Sequence, residues 1–197
     1  MNDKIKEIKQ SFRQMMDGAV AQSMRDKGVD YHLNWGVTLP RLREKADEIG
    51  KNYDLAIALW KENVRECKIL ATMVMPADVI LPEVVDIWME QTETVEIAEQ
   101  ASMNLYQYLP YAPMKAFEWI ASDKELYQLC GFHVLSRLFM NGQEPNERGI
   151  NEFLDQVHVA LQSHNVTVRK AALNSLNRFA GLGLVYERLA DNILRRL

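Results

Sequence analysis

Two glutamates three residues apart, Glu96 and Glu99, close an acidic run that also holds Asp78, Glu83, Asp86, Glu90 and Glu93. On a helix, a spacing of three places both carboxylates on one face, where each raises the other's pKa. Such a pair either handles protons and developing positive charge or is the solvated face of an acidic helix. The opposite chemistry gathers near the other end of the chain. Arg169, Lys170, Arg178, Arg195 and Arg196 suit phosphate oxygens. The plainer use of Arg169 and Lys170 is a solvated helix face, or a ladder of contacts from arginines to neighbouring loops. Trp35 lies in the loop before a helix, which makes it a candidate groove-lining residue, whereas Trp60, Trp88 and Trp119 fall where helices pack.

Other reactive side chains lack the spacing their chemistry needs. The four histidines, His32, His133, His158 and His164, form no His-x-x-x-His or Cys-containing ligand set, so no metal is expected. Cys67 and Cys130 fall on apolar helix faces as buried thiols, and two cysteines do not make a disulfide framework. Gly181-Leu182-Gly183 reads as a helix stop, because no strand precedes it to form a phosphate loop. No nucleophile, base and orienting acid share a known signature, and no cofactor is expected. The ten methionines fit a packed helical core as gap fillers.

The elements that must position these residues are helical. Glycine and proline together make 15 of 197 residues, too few turns for a many-stranded sandwich or barrel. No apolar run reaches the roughly 18 residues of a membrane span, and the start has no signal-peptide core, so the cytoplasm is the expected location. Apolar residues recur at three and four: Ile5, Ile8, Phe12, Met15, Met16 and Val20 predict one helix over 3–25, broken at Gly28. Thr38 with Pro40 opens the next helix and Gly50 closes it. Further helices are predicted over 54–63, 64–75, from Pro82, over 93–109, 113–121, 123–140 and 146–162, from Asn165 to about Ala180, and to Leu197. That makes about eleven helices with no period-two segment. Net charge is −4, unevenly spread. Residues 51–100 carry 4 bases and 10 acids, and residues 163–197 carry 6 and 2. No Lys or Arg stands between Ile69 and Met114, a stretch that repels a phosphate backbone.

The helices repeat. Asn63-Val64-Arg65-Glu66 and Asn165-Val166-Thr167-Val168-Arg169 open similar segments, with a weaker copy at Glu125-Leu126-Tyr127. Starts near 64, 95, 127 and 168 give steps of roughly 30–45 residues, the mark of HEAT-like helix pairs. The fold expected is all-α, with HEAT-like or armadillo-like pairs stacked as a right-handed α-α superhelix whose inner helices line a concave surface. The expected organisation is one repeat domain over 1–197: an N-terminal helix in 1–29, repeats over 30–180 and a capping helix over 181–197.

Several motifs in fixed order carry a family likeness. They are Trp35-Gly36-Val37-Thr38-Leu39-Pro40-Arg41, Leu59-Trp60 with Val64-Arg65-Glu66, Ile87-Trp88, Glu118-Trp119-Ile120-Ala121-Ser122-Asp123, Cys130-Gly131-Phe132 and Val168-Arg169-Lys170-Ala171. Over about residues 30–180 the chain resembles the DNA alkylation repair family, the HEAT-like alkylpurine DNA glycosylases. The resemblance implies removal of N3-methyladenine and N7-methylguanine from duplex DNA. There a carboxylate stabilises the developing oxocarbenium sugar and positions water, aromatics pack on the cationic lesion, and an arginine holds the phosphate. The family's catalytic Asp falls on Glu99, with Glu96 one turn before it. The aromatic of that motif is replaced by Val95, the arginine by Gln128 or Leu129, and a later tryptophan by Asn174. Arg169 and Lys170 match the family's basic pair.

Three functions follow as expectations. The first is a diverged family member that binds double-stranded DNA, alkylated or branched, through Trp35, Arg169, Lys170 and Arg178, with most of the excision machinery replaced. The second is an active alkylpurine DNA glycosylase that uses Glu99. The third is a non-enzymatic scaffold for a basic protein partner, in keeping with the acidic 78–99 run.

Overall fold

The computed structural model describes residues 1–197 as twelve α-helices and one 3-10 turn, with no strand. The chain divides into two compact units, Met1–Leu105 and Tyr106–Leu197.

The first unit holds α1 (Asn2–Gln14), α2 (Gly18–Asp26), α3 (Leu39–Ile49), α4 (Tyr53–Trp60), α5 (Arg65–Val74), α6 (Pro82–Glu90) and α7 (Val95–Asn104). The single helix expected over 3–25 is two. The chain leaves α1 at Met15, and the Asp17 carboxylate accepts the Val20 N–H and caps α2. A capping side chain there satisfies a donor that a continuous helix would not expose. Thr38 stands at the N-cap of α3 as expected, although its hydroxyl makes no capping bond. Helix α5 packs against α3, α4 and α7. α5 and α7 run parallel, with Arg65 bound to Glu96 at their starts and Asn104 to Thr72 at their ends. Both contacts span 31 or 32 residues, which matches the step from 64 to 95. Phe12, Leu42, Leu55, Leu59, Ile69 and Leu70 fill the core.

The second unit begins with the 3-10 turn Tyr106–Tyr108 and continues with α8 (Ala112–Ile120), α9 (Glu125–Met140), α10 (Glu147–Leu161), α11 (Val166–Ala180) and α12 (Leu184–Leu194). The helix expected over 93–109 ends at Asn104, because the chain turns at Leu105 and buries Tyr106 against Trp119, ring centroids 5.0 Å apart. α8 and α9 form a hairpin so close that a Cβ on Gly131 would stand 2.8 Å from the Ala116 carbonyl oxygen and 2.6 Å from Ile120 Cγ2. Only glycine admits that approach. α9 and α11 run parallel. Asn165 donates to Glu125 at one end, and Phe139 meets Phe179 at the other with centroids 5.5 Å apart. Both pairs are offset by 40 residues. Phe153 completes an aromatic cluster with Phe139 and Phe179.

Candidate nucleic-acid interface

Helix α7 starts where the Thr94 hydroxyl accepts the Ile97 N–H. Its first turn carries Glu96, and the structure assigns this residue a partner. Arg65 donates through Nε and Nη2 to the two carboxylate oxygens at 2.8 and 2.6 Å, and the Tyr31 hydroxyl donates to Oε2 at 2.6 Å. Such a two-pronged arginine–carboxylate pair is strong and directional. Burial favours the neutral acid, yet the Arg65 bonds and charge and the Tyr31 bond outweigh it and hold the Glu96 carboxyl below the usual range. Burial and the neighbouring Glu96 carboxylate push the Tyr31 phenol well above its usual value.

Arg65, 2 % exposed, also donates to Glu66 and to the Val37 carbonyl. Glu66, fully buried, accepts the backbone N–H groups of Trp35 and Val37 through the same oxygen. Gly36 lies between them with φ 73°, and a Cβ there would stand 2.1 Å from the Asp17 carbonyl oxygen. The sequence Trp35-Gly36-Val37 is therefore the piece of backbone that Glu66 and Arg65 hold. The Trp35 ring is 7 % exposed and packs on Phe12, with the Arg13 guanidinium over it at 5.7 Å. It faces a core rather than the groove expected for it.

Glu99, one turn beyond Glu96, is half-buried on α7. Glu96 is bound to Arg65 and Tyr31. Val95, where the family carries an aromatic, is exposed. Gln128, which with Leu129 is a candidate for the family's arginine position, donates its amide to the Ser122 carbonyl at 2.7 Å and closes the α8–α9 turn.

In the second unit the bases divide in the same way. Arg169 donates to the Ser163 and His164 carbonyls and holds the α10–α11 turn, which is the loop ladder weighed from its spacing. Lys170 and Arg178 are exposed on α11, with Asn174 and Asn177. Arg195 and Arg196 are exposed just past α12. The offset of 40 sets Arg137 of α9 level with Asn177 of α11. Sequence reasoning missed Arg137, which is half-buried. The signal available for it was an absence. No Asp or Glu occurs from Leu126 to Asn141, or from Gln156 to Tyr186. Two neighbouring parallel helices are consequently free of acids beyond Glu125 and carry Arg137, Lys170 and Arg178. No three His, Cys, Asp or Glu residues converge in a metal-holding group, and no helix is long and apolar enough to cross a membrane.

A family model described as "DNA alkylation repair enzyme" matches residues 8–181. The chain belongs to that family. A solved structure with the same fold has a TM-score of 0.85 and 19% sequence identity, and the alignment covers 96% of this chain and 81% of the other. That structure is described as "A new family of proteins related to the HEAT-like repeat DNA glycosylases with affinity for branched DNA structures". This family member accordingly has the HEAT-like repeat fold that its helix spacing implied. No curated protein matches it.

Proposed function

We propose that this member of the DNA alkylation repair family binds DNA through the α9–α11 face and releases no base. The observation that carries the reading is that acid-free face, with Lys170 and Arg178 exposed on α11 and Arg137 beside them. Exposed cations without neighbouring carboxylates attract a phosphate backbone and release its counterions. Membership of a DNA repair family supports the reading, and so does likeness to a protein with affinity for branched DNA. The excision chemistry has lost its supports: Glu96 is committed to Arg65, Gln128 to Ser122, and Val95 offers no aromatic face.

The test is binding of a fluorescent duplex and a four-way junction over a salt series. Affinity should fall steeply with salt, and replacing Lys170 and Arg178 by glutamine should flatten the log–log slope by about 2. No affinity at physiological salt would overturn the reading and favour a basic protein partner on the acidic first unit. A second reading rests on the position of Glu99, half-buried on α7 one turn beyond Glu96. It is an alkylpurine DNA glycosylase in which Glu99 stabilises the sugar cation. Release of N7-methylguanine from methylated duplex above an enzyme-free control, lost in Glu99→Gln, would establish it.

A further inference from the structure

The 3-10 turn at the start of the second unit projects an aromatic ring into solvent from a rigid base. Tyr106 is fully buried against Trp119, and Leu109, three residues on, is buried as well. Between them Tyr108 is 62 % exposed. Pro110 beside it is exposed, and Met114, early in α8, is 55 % exposed. No charged residue occurs from Gln100 to Met114, so nothing in the segment repels a nucleobase or solvates the patch with ions. An aromatic held this way has lost little freedom to bind, because Leu109 and Tyr106 anchor the backbone on both sides.

Its position ties it to the α9–α11 face. The turn packs against α8 and α9. Because α8 runs opposite to α9, it begins beside the end of α9, where Met140 is exposed. The parallel offset of 40 sets Arg178 of α11 level with Leu138 of α9, at that same end. The patch and a phosphate-seeking cation thus lie toward the same end of the unit's helices.

Resting on the DNA-binding reading above, we infer that Tyr108, with Pro110 and Met114 behind it, is a wedge that stacks on an unpaired base at a DNA branch point. Continuous duplex offers no free base face. A branch does, since pairing and stacking are interrupted there, and an exposed ring accepts any base. Arg178 would hold the phosphate of the strand that turns at that point. Lys170 and Arg178 then supply affinity for any DNA, and Tyr108 supplies the preference for branches.

The experiment compares the full chain and three variants, Tyr108→Ala, Tyr108→Trp and Lys170→Gln with Arg178→Gln. The probes are a linear duplex and a three-way junction carrying 2-aminopurine at the branch. Tyr108→Ala should bind the junction about 5- to 100-fold more weakly and the duplex as before. It should also leave the branch 2-aminopurine unquenched, while Tyr108→Trp restores quenching. Exposure of the residue means that the variants should melt as the parent does, which circular dichroism checks. If Tyr108→Ala binds and quenches the junction as the parent does, the wedge is wrong while DNA binding stands. If the parent binds neither probe, the DNA-binding reading itself fails and the wedge with it.

Discussion

Replacing Glu96 by glutamine removes one charge from a buried cluster and leaves its shape intact. Glu96 accepts two N–H groups from Arg65 and one O–H from Tyr31. The amide keeps one accepting oxygen. Whichever way it turns, its NH2 faces one Arg65 N–H, donor against donor. One charge-assisted bond is lost, worth about 1.5–3 kcal/mol, and Arg65 keeps only Glu66 as a charged partner. Breaking a fully buried pair costs about 3–5 kcal/mol. The Glu96 side chain is 22 % exposed, so the cost here should be about 2–3 kcal/mol. For a chain of this size that lowers Tm by about 4–12 °C at pH 7. The pH dependence adds a second check. The folded state holds the Glu96 carboxyl below its ordinary value, so its contribution is complete above the unfolded value of about 4.3 and is lost as pH falls through the folded one. Melting both proteins from pH 7 to pH 3 by circular dichroism should therefore show a wide gap that closes in acid. A gap that stays constant to pH 3, or a Tm within 1 °C of the parent at pH 7, would refute the electrostatic account.

Three further outcomes test the frame around the site. Gly131→Ala should cost about 1–3 kcal/mol, because the new Cβ meets the Ala116 carbonyl and the Ile120 backbone as well as its side chain; chemical denaturation reads the loss. Asn165→Ala removes the cap on the Thr167 and Val168 N–H groups and the bond to Glu125, so the same measurement should show a loss of about 1–2 kcal/mol. Cys67 is buried and burial pushes its thiol up to about 12, so a disulfide reagent at pH 8 should leave it unmodified until denaturant opens the first unit.

Much of the fold was legible because helical periodicity depends on local spacing. Asn165 before an apolar run placed the start of α11, and the step between helix starts near 64 and 95 anticipated the offset of α5 and α7. The failures have local causes too. The apolar stripe of residues 3–25 continues through Met15 and Met16, yet Asp17 caps a new helix there, and its backbone N–H donates to the Trp35 carbonyl. That bond spans 18 residues and leaves no periodic trace. Glu96 looked like a possible partner for Glu99 because the two share a helix face. Its real partner is Arg65, 31 residues away, and only packing brings the two together.

The same comparison explains why the family was easier to recognise than its chemistry. Trp35-Gly36-Val37 and Val64-Arg65-Glu66 are two halves of one structural clasp: Glu66 receives the N–H groups of the first motif and Arg65 its carbonyl. Cys130-Gly131-Phe132 marks the closest approach of α8 and α9, and Arg169 ties the turn before its own helix. Each of these three motifs holds backbone in place, and loss of the clasp or of Gly131 leaves a buried charge or a clash. Val95 and Asn174, exposed on their helices, have no such constraint. Val95, Gln128 or Leu129, and Asn174 stand where the resemblance implies other residues, in a chain that has the HEAT-like repeat fold. A chain with this clasp, with Lys170 and Arg178 exposed and without an aromatic at position 95 suits the proposed DNA-binding role, and Glu99→Gln is the variant that separates it from the glycosylase reading.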